Sequence, residues 1–231
     1  MSGPTRTYTA KELLTVGDPA WPELHGRIRG GRNGVELLVA DPEQGKRCLE
    51  GIQAPVSTVL GAMSYHVGGL LIDSGWLRIL GCGHPRMRGS LLSWNGRGGP
   101  TGFPGIAGAV IVAHDVLGGV FAVNGGGLFG QPGELNYWDP AEARWAPLEV
   151  RYPGFIVWAL DGDLSQLYAH SRWEDWDRDV SALTGDQVIL RTPPPWEDPA
   201  PEAVQAEVRP VMELVAGRWR PAAGEGGGAE A

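Results

Sequence analysis

The stretch "VNGGGLFGQPGELNYWDP", Val123 to Pro140, decides how the middle of the chain folds. Gly125, Gly127 and Gly130 give the spacing G-x-G-x-x-G, which in a dinucleotide-binding domain follows a strand and opens a helix. The helix matters because its free N–H groups meet the pyrophosphate. Here "VFAVN" supplies the strand, but Gly130 is followed by Gln131-Pro132-Gly133 and then by the strand-like "ELNYW". The flanks read strand, turn, strand, and Asn124-Gly125 suits the left-handed conformations of a hairpin turn. The stretch predicts a hairpin and no nucleotide loop.

Reading outward, "AGAVIVAHD", "GGVFAVN", "ELNYWDP" and "RWAPLEV" are four strand candidates separated only by turn chemistry. Such short links imply an antiparallel meander, because a parallel crossover takes a dozen or more residues. Upstream, "GGLLIDSGWLRILG" reads as a hairpin about Ser74-Gly75, and "GSLLSWN" as a short helix. The Gly- and Pro-rich run from Gly96 to Gly105 predicts an exposed loop. Nearer the N-terminus, Thr9 and Glu12 form a capping box, while Asp18-Pro19 and Asp41-Pro42 mark two further helix starts on either side of the strand "VELLVA". Trp21, Leu24 and Ile28 share a face of the first of these, and Cys48, Leu49 and Ile52 face the core from the second.

Beyond Pro153 the apolar period shifts from two to 3.6. "GFIVWAL" and "DLSQLY", the latter with Asp163 as its N-cap, read as short helices. "WEDWDRDVSAL" reads as a longer one with Trp173, Trp176, Val180 and Leu183 on a single face. "QVILRT" follows as a strand, then a proline-rich connector, then a helix candidate from Glu202 to Ala216 interrupted at Pro210. The expected fold class is α+β, a mainly antiparallel meander flanked by N- and C-terminal helices. It occupies a single domain over residues 1–220, with a helical part at 9–66, a sheet-rich middle at 68–150 and a second helical part at 153–217; residues 222–231 form a disordered tail.

Composition narrows the function classes. The 231 residues carry a net charge of −8, so phosphate-rich surfaces repel the chain at long range; nucleic acid and anionic membrane are not expected partners, and a basic protein is. Cys48 and Cys82 lie far apart in sequence with no metal-binding spacing, no cofactor motif occurs, and neither a leader nor a span of about 18–20 apolar residues is visible, which predicts a reduced, cytoplasmic location.

Three segments invite chemistry. "LDGDLSQLYAHSR" imitates a calcium loop through Asp161, Asp163 and Ser165, but its sixth place is Gln166 and its twelfth Arg172, so the tight turn and the bidentate acid are missing. "GCGHPRMRG" sets His84 beside Cys82, and an acid such as Asp73 or Asp115 would orient the imidazole; this is the alternative of a small-molecule enzyme or binder. The third is the acidic segment holding Asp161, Asp163, Glu174, Asp175 and Asp179, read either as a solvated face or as a docking surface for a basic partner. Trp196, in the proline-rich connector, is the best candidate for an exposed aromatic contact, in a partner interface or in a homo-oligomer closed over hairpin edges.

"GGLLIDSGWLRILGCGHPRM", "DVLGGVFAVNGGGLFGQPGELNYWDP" and "GFIVWALDGDLSQLYAHSRWEDW" together resemble a bacterial family known as domain-of-unknown-function family 2625, from about Thr9 to Trp196. That resemblance brings no activity with it. The order "GGVFAVN", "GELNYWDP", "YPGFIVWAL" is also similar to the SMI1/KNR4-like (SUKH) superfamily, with Tyr137, Asp139, Phe155 and Leu160 at the matching places. This second resemblance implies an α+β fold and a non-enzymatic, immunity-type protein that binds a basic toxin. The N-terminal part, to about Gly105, departs from the compact superfamily pattern.

Overall fold

The structure is a computed structural model and describes residues 6–15, 19–97, 105–193, 205–211 and 213. Seven strands form one sheet in chain order: β1 (Val35–Val39), β2 (Val67–Ile72), β3 (Leu77–Leu80), β4 (Ala109–Asp115), β5 (Val120–Asn124), β6 (Glu134–Asp139) and β7 (Arg144–Arg151). Every neighbouring pair is antiparallel, so the meander is present and β1 extends it at one edge by pairing with β2. β2 and β3 are buried along their whole length, the pattern of strands covered on both faces. The α+β expectation holds.

Between β5 and β6 no helix follows the glycines, and the two strands pair antiparallel from Val123↔Leu135 to Val120↔Trp138. The connection is wider than a two-residue turn. Asn124, buried at the end of β5, organises it: its Oδ1 accepts from Gly126 N (2.7 Å) and Leu128 N (3.1 Å), and its Nδ2 faces the carbonyls of Leu128, Phe129 and Gly130. The positive φ angles fall at Gly126, Gly130 and Gly133, not at Asn124 or Gly125. A buried side-chain amide therefore satisfies the loop's backbone, in place of a phosphate.

Helices pack around this sheet, two of them starting where the sequence caps at Thr9 and Asp41 mark them. α1 (Ala10–Leu14) has both bonds of the Thr9–Glu12 capping box. α2 (Trp21–Gly30) buries Leu24 and Ile28; it starts two residues later than the Pro19 reading, with Ala20 as N-cap and Pro22 in its first turn, and the expected cap Asp18 lies outside the described residues. In α3 (Pro42–Ile52), Asp41 accepts from the N–H groups of Glu43 and Gln44, and Cys48 and Leu49 are buried. α4 (Val59–His66) is capped by Thr58 and runs directly into β2, and α5 (Leu91–Trp94) is the short helix foreseen after the His84 loop.

Past β7 come α6 (Tyr152–Asp161), α7 (Ser165–Tyr168) and α8 (Trp176–Ser181), then β8 (Gln187–Thr192) and β9 (Gln205–Pro210) as an antiparallel pair. Two expectations need correction here. The helix read from Trp173 is confined to α8, because the chain takes a left-handed turn at Asp175 (φ 59°) that lets Trp173 and Trp176 both reach the buried Trp76, at 5.7 and 5.1 Å between ring centroids. Within the Glu202–Ala216 helix candidate, Gln205–Pro210 is a strand, its backbone groups taken by β8. The tail at 222–231 and most of the Gly96–Gly105 loop lie outside the described residues.

One buried carboxylate ties the sheet to the C-terminal helices. Asp115, at the end of β4, is fully buried; its Oδ1 accepts from Leu117 N (3.0 Å) and Gly119 N (2.8 Å), and its Oδ2 accepts from the hydroxyls of Tyr137 (2.8 Å) and Tyr168 (3.3 Å). The two backbone N–H groups can only donate to the carboxyl, whereas the two phenol hydroxyls can donate or accept. Burial nevertheless pushes its pKa up against those bonds. Arg78, also buried, faces this region from β3 and is the nearby counter-charge; burial draws its pKa down to about 10 while Asp115 and Asp186 hold it up.

Gly119 is required at this junction, since a Cβ there would collide with the Tyr137 hydroxyl and with Asp115 Oδ2. Gly119→Ala should lower the unfolding free energy by about 3 kcal/mol through overpacking and lost buried hydrogen bonds. Gly26 sits inside α2 with nothing within 4 Å of its would-be Cβ. Gly26→Ala should raise stability by roughly 0.5–1 kcal/mol. Urea denaturation of both variants checks the pair.

Candidate functional site

The corner between α6 and α7 is built by local chemistry. α6 ends at Asp161, and Gly162 follows because a Cβ there would sit 2.5 Å from the Trp158 ring. Asp163 then turns the chain into α7, with its Oδ1 accepting from Ser165 N (2.9 Å) and the Ser165 hydroxyl. These bonds hold the Asp163 carboxyl below its ordinary pKa. α7 buries Leu164 and Tyr168 on one side and presents Ser165, Gln166 and Leu167 on the other.

Three depressions meet around this short helix. The first, about 580 Å³, is polar; Asp161, Asp163, Ser165, Asp73, Arg32 and Arg172 carry its chemistry. The second, about 480 Å³, is lined by Tyr137, Tyr168, Leu117, Leu167, Asp139 and Glu142 among others. The third, about 380 Å³, is mainly apolar, with Phe121, Phe155, Trp158, Leu148, Val150 and Leu167. Leu167, substantially exposed, is shared by the last two.

In the polar cleft the charges are fixed rather than loose. Arg32 Nη2 donates to the Asp161 carbonyl (2.7 Å), and Asn33 Nδ2 to the carbonyls of Ala159 (3.0 Å) and Gly162 (2.9 Å), so the turn before β1 clamps the end of α6. Arg172 pairs with Asp73 and lies over the Trp176 and Trp76 rings, at 4.3 and 5.2 Å. That guanidinium is held by ion pair and aromatic faces together, a geometry lysine would not reproduce. Asp73 neutralises Arg172, which leaves Asp161 and Asp163 as the carboxylates that face the cleft without a side-chain ion pair among the described residues.

The sequence-derived candidates thus divide. Asp161 and Asp163 line the cleft, joined by Asp73 and by Arg172, the residue that breaks the calcium pattern. The other acids lie on the α8 side: Asp175 pairs with Arg178 (3.2 Å), Asp179 accepts from Trp173 Nε1 (2.9 Å), and Glu174 is exposed. Trp196 is outside the described residues.

His84 accepts at Nδ1 from Arg86 N (3.2 Å) in a tight turn closed on Met87. Asp115 is paired opposite Leu77, at the start of β3, whereas the chain beyond Leu80 continues along β2 to Gly83 and His84. The strand alone separates the two ends by about 10 Å. Asp73 sits with Asp115 at the near end, so the register brings neither acid beside His84. Burial pushes the Cys82 thiol up to about 11 and the Cys48 thiol up to about 12, far from nucleophilic thiolates at neutral pH.

Tyr168 and the Arg32–Asn33 turn were not legible as site residues. Their partners lie far away in sequence, and no local pattern marks them. Among the described residues no cluster of three or more His, Cys, Asp or Glu is placed to hold a metal ion, and no helix is long and apolar enough to cross a membrane.

Comparison with known proteins places the chain. It belongs to the family of proteins of unknown function DUF2625, which it matches over residues 10–216. It is similar to YbfG of Escherichia coli (strain K12), described as an uncharacterized protein: 36% identical over 203 residues, covering 88% of this chain and 90% of that one. An uncharacterized protein of Haemophilus influenzae (strain ATCC 51907 / DSM 11121 / KW20 / Rd) is also 36% identical, over 185 residues, covering 80% and 81% of the two chains. No solved structure matches it.

The buried His114, next to Asp115 and stacked on Trp94, makes the region sensitive to acid. Burial, with Arg78 nearby, draws its pKa down to about 3. A histidine kept neutral in the fold gives stability that is present above its unfolded pKa and is lost as pH falls below it, because the unfolded chain then binds the proton. Between pH 7 and pH 5 His114 should account for about 2 kcal/mol of lost stability. Chemical denaturation of the wild type and His114→Phe at both pH values should show the variant losing about that much less.

Proposed function

We propose that the protein is a non-enzymatic binding module whose α7 surface receives a segment of a basic protein. The observation that carries this reading is the convergence of a charged cleft that presents Asp161 and Asp163, an apolar groove and a cavity lined by Tyr137 on one four-residue helix. Apolar contact next to fixed carboxylates suits a segment with basic and apolar residues: burial of the apolar part supplies affinity, and the carboxylates supply orientation and encounter rate. The chain's net charge of −8 extends the attraction beyond the contact area. In its specific form the partner is a basic toxin and this protein its immunity partner, the role that the SUKH-like order of residues implies.

The test is a peptide array of arginine- and leucine-containing segments, probed with the full chain at low and high salt. Binding should weaken with salt, and the double variant Asp161→Asn/Asp163→Asn should bind about tenfold more weakly, as when charge-assisted hydrogen bonds are lost. Leu167→Ser should also weaken it. An array with no salt-sensitive binder, or a double variant that binds as well as wild type, would sink the proposal. The immunity form predicts a complex with the product of an adjacent toxin gene that the same double variant disrupts.

A further inference from the structure

We infer that the cavity between Tyr137 and Tyr168 is a receptor for a guanidinium group, the side chain of arginine in a partner protein or of a small guanidino compound. The protein-bound form of this inference rests on the binding-module reading above; the cavity's chemistry does not.

The lining, among the described residues, includes the half-buried Tyr137 ring, the almost fully buried Tyr168 behind it, the acids Asp139 and Glu142, the Ser171 hydroxyl, the apolar Leu117 and Leu167, and no basic side chain. Its volume of about 480 Å³ is ample for a planar guanidinium and its methylene stem. At the back, both phenol hydroxyls donate to Asp115 Oδ2. Because those protons are committed inward, the hydroxyls have none to offer an anion. The hydrogen bond to a buried carboxylate also pushes electron density toward the phenol oxygens and rings, which strengthens their attraction for a cation. Burial and the Asp115 charge push both tyrosine pKa values up, so the phenols stay protonated at neutral pH.

Asp139 is held ready at the cavity. Its Oδ1 accepts from Ala141 N (2.7 Å), fixing the turn between β6 and β7, whereas Glu142 is engaged by Arg144. A guanidinium suits this lining better than an ammonium. It is planar, sheds water more readily and stacks on aromatic faces while its edge donates to a carboxylate. A phosphate or carboxylate ligand would meet two acidic side chains and the Ser171 hydroxyl, with no basic side chain in the lining among the described residues.

The experiment titrates the full chain with agmatine, a guanidinium on an alkyl stem, followed by two-dimensional NMR, with cadaverine as the ammonium counterpart. Agmatine should bind saturably, shifting resonances of Leu117, Tyr137 and Tyr168, and cadaverine more weakly. Asp139→Asn should weaken agmatine about tenfold, the loss of one charge-assisted hydrogen bond. That variant keeps an acceptor for Ala141 N, and circular dichroism confirms its fold. Non-saturable binding, shifts confined to Asp161 and Asp163, or equal affinity in Asp139→Asn would each overturn the inference. Basic peptides that bind while agmatine does not would refute the cavity and leave the binding module standing. Agmatine binding with no peptide binding would do the reverse.

Discussion

The Asp115 carboxylate is the constraint on which the rest of the architecture depends. It has no exposure to water, so its oxygens must find their hydrogen-bond partners inside the protein or not at all. Compensation comes from four donors in three places: the Leu117 and Gly119 amides of the β4–β5 turn, Tyr137 on β6 and Tyr168 on α7. The turn, β6 and α7 are three separate parts of the fold. Arg78 on β3 adds the balancing positive charge. A buried charge of this kind gives uncertain net stability, but it disfavours every arrangement in which one donor is missing. It thereby fixes how α7 sits against the sheet.

That placement creates the surface features. Leu164 and Tyr168 anchor α7 inward, Leu167 is left outward, and the three depressions are the spaces around a helix pinned at one point. The N-terminal part contributes through a long-range clamp, since Arg32 and Asn33 grip the end of α6 across 129 residues of sequence at Arg32–Asp161. The N-terminal part thus shapes one wall of the polar cleft.

How much of this was legible in the sequence depends on how local the cause is. The meander followed from alternating apolar residues and turn chemistry, and the caps at Thr9 and Asp41 followed from side chains two or three residues from their targets. The Val123–Pro140 stretch was rightly a hairpin, yet the agent that shapes its loop, the buried Asn124 amide, was hidden behind the glycines. β9 was misread because a strand that pairs, among the described residues, with β8 alone, and leaves Val208 and its neighbours exposed, carries no period-two core signal. The long helix through Trp173 was overread because its indoles answer to Trp76, about a hundred residues away, and that contact outweighs local propensity. In the site, Asp161 and Asp163 stood out as acids, whereas Tyr168 could not, since its role depends on Asp115, 53 residues earlier.

The central claim is that Asp115 couples the β4–β5 turn to α7. Native-state hydrogen exchange of the wild type and Asp115→Asn measures this coupling directly. The account predicts that in the variant the Gly119 amide and the α7 amides lose protection together, while the β1–β2 pair keeps its own. Loss confined to the turn, with α7 as protected as in the wild type, would contradict it.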